Sequence, residues 1–116
     1  MKIASVEVLG VGNELTGQHT FVRLETDSGI SGLGQSACWG YPRGVAGVLG
    51  ELTPLLIGAD PFRIEHIWHL VYRARPFRSN LLAAAVSAID LALWDIKGKA
   101  LSLPVWELLG GRTRDR

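Results

Sequence analysis

Apolar residues first recur with the period of a strand and then with that of a helix. Ile3, Val6 and Val8 begin a β pattern that ends in the turn-rich run Gly10-Val11-Gly12-Asn13. Thr20–Thr26 is the clearest strand: Val22 and Leu24 share one face and Arg23 and Glu25 the other, as a side-chain period of two requires. Asp27-Ser28-Gly29 reads as a short turn and Ile30–Gln35 as the return strand, which makes a hairpin. Gly32 and Gly34 weaken that strand and mark either a bulge or a close backbone approach.

From Pro42 onward the spacing becomes helical. Val45, Val48, Leu49, Leu52, Leu55 and Leu56 form one stripe. Gly58-Ala59-Asp60-Pro61 then stops and restarts the chain, with Gly58 as C-cap, Asp60 as N-cap and Pro61 at the first helical position. A second helix carries Ile64, Ile67, Trp68, Val71 and Tyr72 and ends near Arg73. The third, from Ser79 or Asn80 to Ala100 or Leu101, steps through Leu82, Val86, Ile89, Leu93 and Ile96, with alanines beside the stripe that permit close packing. Asp90 and Trp94 on this helix read as packing residues. Pro104 opens a short turn of helix that Gly110-Gly111 closes. The sum is an α+β chain: a three-stranded antiparallel sheet followed by three main helices and a short C-terminal turn of helix.

Composition narrows the function classes. At 116 residues the chain is too short for a (β/α)₈ barrel, which takes about 250. A formal charge of +1 gives no field that would favour nucleic acid. The most apolar stretch, Leu81–Trp94, is interrupted by Ser87 and Asp90 and followed by charges, so no membrane span is expected. No targeting segment is read at the N-terminus, and the single cysteine, Cys38, fits a reducing, cytoplasmic setting.

Four constellations could carry chemistry. His66 and His69, beside Glu65, share a helix face. The zinc-protease signature spaces its histidines by four, and no third ligand is near, so exposed helix histidines are the plainer reading. Ser36-Ala37-Cys38-Trp39-Gly40-Tyr41 sets two large aromatics about a glycine at a strand-to-helix junction, where they line a pocket or plug the local core. Cys38 as a nucleophile would need a base, and no spacing ties it to His19. The polar run Asn13–His19 is a loop between strands, read from its residues as a solvated hairpin tip. Asp90 and Asp95 interrupt the apolar third helix, where a hydrogen-bonded structural acid is the default. No glycine-rich phosphate loop opens a helix.

The run AVSAIDLALWDIKGKA from Ala85 to Ala100, followed by LPVWELLGG from Leu103 to Gly111, is highly specific. It resembles the end of the N-terminal capping domain of the mandelate racemase and muconate lactonizing enzyme group of the enolase superfamily. Asp27-Ser28-Gly29, Gly32-Leu33-Gly34 and Gly58-Ala59-Asp60-Pro61 agree with it, so the resemblance covers essentially the whole chain. Two departures stand out: Ser102 replaces a frequent glycine, and the Asn13–Gln18 loop looks short.

The resemblance implies a lid, residues 1–111, with 112–116 starting a linker to a (β/α)₇β barrel. In the family that barrel holds Mg²⁺ on three carboxylates and carries the Lys or His bases that remove the proton α to a carboxylate. Racemases, cycloisomerases and acid-sugar dehydratases all work this way. The chain alone is therefore expected to hold no cofactor and no catalytic residue and to be inactive as an enzyme. The lid supplies specificity through two loops, which match Asn13–His19 and Cys38–Tyr41 here. This implies that Asn13, Glu14, Thr16, His19, Cys38, Trp39 and Tyr41 contact a small carboxylate or acid-sugar substrate. A lid separated from its barrel by truncation or proteolysis should expose a large apolar patch and form homo-oligomers. A stand-alone, non-catalytic binding module of the same fold is the alternative and should be monomeric.

Overall fold

The alternation in the first third of the chain builds a three-stranded antiparallel sheet of order β1-β2-β3, formed by β1 (Ile3–Asn13), β2 (Gly17–Thr26) and β3 (Ser31–Gln35). The computed structural model describes residues 1–13, 17–36 and 41–115. Val6 pairs with Leu24 and Val8 with Val22, which sets one apolar face inward, with Val22 and Leu24 fully buried. The opposite face mixes apolar residues, among them Leu9, Phe21 and exposed Leu33, with charges: Arg23 bridges Glu7 across the strands at 2.6 Å and Glu25 along its own strand at 3.4 Å. The β2–β3 turn closes on Thr26, whose hydroxyl donates to the Ile30 carbonyl at 2.8 Å, while Gly29 takes a φ of +81°.

Four helices follow: α1 (Pro42–Leu56), α2 (Ile64–Arg73), α3 (Asn80–Leu101) and the short α4 (Val105–Leu108). The α3 stripe expected from its spacing is buried along its whole length, from Leu82 through Val86, Ile89 and Leu93 to Ile96. The Ser79 hydroxyl caps its start by accepting from the Leu82 N–H at 3.3 Å. Ser102 ends it in the left-handed conformation, φ 55° and ψ 35°.

Gly32 and Gly34 serve a close approach, and β2–β3 pairing runs through them without a register shift. A side chain on Gly32 would strike the Ala92 carbonyl, and one on Gly34 the Ala88 carbonyl. α3 thus lies directly on the backbone of β3. Asp95 and Lys99 fasten the contact: the Asp95 carboxylate accepts from the Leu33 N–H at 2.9 Å, and the Lys99 ammonium donates to Asp95 at 2.7 Å and to the Ser31 carbonyl at 2.8 Å.

Two expectations are corrected. α2 begins at Ile64, three residues beyond the expected Pro61. Asp60 does not cap the helix: its carboxylate accepts from the Phe62 N–H at 2.9 Å and its carbonyl from the Arg63 N–H at 3.1 Å. That closed turn delays the helix until Ile64, Ile67 and Val71 fall on the core. β1 and β2 also run further than their apolar positions suggested, pairing out to Asn13 and Gly17. Among the described residues, no helix is long and apolar enough to cross a membrane.

Candidate functional site

β1 and β3 end, and β2 begins, at the same end of the sheet, close to where α1 starts. Glu14, Thr16, Cys38 and Trp39 lie outside the described residues, so what frames them carries the geometry. Asn13 closes β1 opposite Gly17. His19 is a strand residue of β2 paired with Val11, not part of a loop. Its Nδ1 sits 3.0 Å from the Gln35 side-chain amide, which links the ring to β3. Ser36 is buried, and its N–H donates to the Thr20 carbonyl at 2.8 Å, so β3 is tied to β2 up to the point where the connection begins. Tyr41 ends that connection as the α1 N-cap residue, its carbonyl accepting from the Val45 N–H at 3.1 Å. Its side chain is 69% exposed, so Tyr41 does not plug the core.

Between these segments is a cleft of about 300 Å³. Gly10, Gln18 and Thr20 form its sheet side, and Pro42, Arg43 and Ala46 its helix side. Gly10 matters for what it lacks: a Cβ there would collide with the Gln18 side-chain amide nitrogen, so the amide lies over the glycine. The first turn of α1 contains no acidic residue, and among the described residues no side chain caps it. Its partial positive charge and the Arg43 guanidinium therefore act in the same sense and favour an anion or a hydroxyl-rich acid. Sequence reasoning missed Arg43 and Thr20 as lining residues, and Gln18, inside the Asn13–His19 run, was not named among the contacts. The available signal was Arg43 itself, a cation directly behind Pro42 in an apolar helix that opens without an acid.

The other candidates fall elsewhere. Glu65, His66 and His69 are exposed on α2. Glu65 and His69 border a cleft of about 290 Å³ with Trp68, Asp90 and Trp94. There the Asp90 carboxyl is pushed above its ordinary value, first by burial and then by the Glu65 charge. Among the described residues, no group of three His, Cys, Asp or Glu side chains converges to hold a metal ion. Asp95 is the structural acid expected on α3, given over to Leu33 and Lys99. Trp94 is half-buried at the edge of the core rather than within it, with the Lys97 ammonium 5.1 Å from its ring.

A three-stranded sheet backed by a helical layer, with a cleft where the sheet meets the first helix, defines an α+β domain of the capping type. The chain belongs to the mandelate racemase / muconate lactonizing enzyme N-terminal domain family, which it matches over residues 5–110. It is 48% identical over 97 residues to a D-galactonate dehydratase of Verminephrobacter eiseniae, and 50% identical over 97 residues to one of Klebsiella pneumoniae. Each match covers 83% of this chain and 25% of the relative, so the chain spans about a quarter of the curated relatives' length. Among solved structures it is similar to an enolase of Pantoea ananatis with bound D-gluconate and Mg, at 38% identity and a TM-score of 0.91, covering 98% of this chain and 28% of that one.

Proposed function

We propose that this chain is the substrate-specificity lid of an enolase-superfamily enzyme, and that the enzyme dehydrates a sugar acid of the D-galactonate type. Residues 1–111 are the lid and residues 112–116 lead toward a (β/α)₇β barrel. The observation that carries the reading is the cleft of Gln18, Thr20 and Arg43, where β1 and β2 face the first turn of α1. A sugar acid offers one carboxylate and a row of hydroxyls. The Arg43 guanidinium meets the negative charge, while the Gln18 amide and Thr20 hydroxyl can each give and take a hydrogen bond. Exposed Tyr41, one residue before the cleft's Pro42, offers an aromatic surface with a polar tip next to the cleft. In this reading Asn13, Glu14, Thr16, Cys38 and Trp39 complete the lid's share of the site, while His19, on the opposite face of β2 from Gln18 and Thr20, stands outside this cleft.

Magnesium does not fit the side chains described here, which bring no carboxylate set together, and the proposal places it on the barrel. This chain's part is to bind, orient and shield the substrate. The C-terminal segment supports a lid over a stand-alone module: Leu101, Leu103, Trp106 and Leu109 are all exposed close together along the chain, an apolar strip that suits a covering domain.

The test is kinetic, in the protein joined to its barrel and offered D-galactonate among a panel of sugar acids. Arg43→Ala and Tyr41→Ala should raise KM or shift substrate preference with Tm unchanged. Unaltered kinetics in both variants would remove these residues from the site.

A further inference from the structure

The cleft of about 290 Å³ between α2 and α3 is built from matched halves. α2 contributes Glu65, Trp68 and His69, and α3 contributes Asp90 and Trp94, one turn apart. Each wall thus offers one carboxylate and one indole. No Lys or Arg lines the cleft. Among the described residues neither carboxylate has a hydrogen bond or an ion pair, although Asp90 is half-buried. Burial and the Glu65 charge both disfavour a negative Asp90. An acid left unanswered in such a place costs the isolated chain stability, and a cation brought between the two carboxylates removes that cost.

The rings narrow the kind of cation. Trp68 is held in place, with Tyr72 stacked on it at a centroid distance of 4.8 Å and His69 meeting it at 87°. Trp94 already accepts one cation, the Lys97 ammonium 5.1 Å from its ring. Lys97 borders the neighbouring cleft that Trp94 also lines, and not this one. Indole faces favour a flat, weakly hydrated cation. A metal ion does not suit the cleft, because among the described residues no three His, Cys, Asp or Glu side chains converge. A guanidinium does: its planar fork matches carboxylates and its face stacks on aromatic rings.

We infer that this cleft is a binding site for a guanidinium group, which stacks on indole and donates its N–H groups to Asp90 and Glu65. The inference is independent of the lid reading, since none of the five residues lines the Gln18–Arg43 cleft.

The experiment titrates the chain with ethylguanidinium and, separately, with ethylurea, which has the same shape without the charge. The indole N–H resonances are followed by NMR, and Tm is measured on each variant to show that the fold is kept. Ethylguanidinium should shift Trp68 and Trp94, leave Trp106 in place and saturate at about 10 mM or below, an affinity within reach of so small a ligand. Asp90→Asn should weaken binding about tenfold, as loss of a charge-assisted hydrogen bond does, and Trp68→Leu about threefold. A response that does not saturate by about 100 mM, that ethylurea reproduces, or that survives either substitution unchanged overturns the inference. The same titration in the protein joined to its barrel separates the two sources of such a group. A response kept there marks a free guanidino compound as the ligand. A response lost there marks an arginine of the longer chain already seated in the cleft, and Asp90→Asn must then lower the joined protein's Tm while raising that of the chain alone. Loss of the response without that reversal overturns the inference.

Discussion

Gly34 and Ala88 meet backbone to backbone: a methyl group on Gly34 would fall inside the van der Waals surface of the Ala88 carbonyl. Gly32 and Ala92 repeat the contact two strand residues and four helix residues away. Four helix residues rise about 6 Å and two strand residues advance roughly 6.6 Å, so the two periods match over this distance. The alanines keep the helix surface low and the glycines remove the strand surface altogether. Gly34→Ala should therefore cost about 3 kcal/mol, the upper end of ordinary overpacking penalties. Urea unfolding measures it, and a loss under about 0.5 kcal/mol, the size of a neutral surface change, would mean that α3 can lift off β3 freely.

Ser102 should give the opposite result. It is the one non-glycine residue with positive φ among those described, and a left-handed L-residue costs roughly 1–2 kcal/mol. Ser102→Gly should raise stability by about 1 kcal/mol by relieving it. An unchanged or lower midpoint in urea would show that the serine side chain makes up the difference.

Asp90 makes stability depend on pH. Burial, then the Glu65 charge, raises its carboxyl above the ordinary 3.8, so the folded chain holds this proton more tightly than the unfolded one. The resulting stabilisation is complete below 3.8 and is lost as pH rises through the elevated folded value. Asp90→Asn removes the buried charge, so its Tm should exceed the parent's at neutral pH. The two melting curves should converge below 3.8, where the parent carboxyl is also neutral. A Tm difference that is the same at every pH would contradict the burial argument.

Trp94→Ala should cost about 1–2 kcal/mol, less than the roughly 3–5 typical of a fully buried aromatic. The indole is half-buried and shares its open face with Lys97. Comparison with Ile96→Ala, at a fully buried neighbour, gives the scale. A Trp94 loss equal to or larger than that of Ile96 would return Trp94 to the core.

The parts of the fold legible in the sequence were those where one period dominates. Leu82 to Ile96 could only face one way, and Val22 and Leu24 fixed the inner side of the sheet. Gly32 and Gly34 signalled something unusual, but their meaning depended on which helix would arrive above them, a long-range fact. The start of α2 was misplaced because Asp60-Pro61 is equally good chemistry for a helix cap and for a closed turn. Only the burial of Ile64, Ile67 and Val71 decides between them. At the candidate site, attention to loops proposed Tyr41 and passed over Arg43 and Thr20. Both lie within regular elements, and they come together only when α1 settles beside the turn-proximal part of the β1–β2 hairpin.

The pairing of Asp95 and Lys99 with β3 also limits what the sheet can become. A terminal strand with a free N–H, a free carbonyl and an exposed leucine is a template on which another extended chain can grow. Here the Leu33 N–H and the Ser31 carbonyl are answered by side chains from the same chain's helix, and exposed Leu33 is left on an edge with those bonding positions occupied. Two charged side chains thus give this side of the sheet a finished border, closed to uncontrolled strand addition.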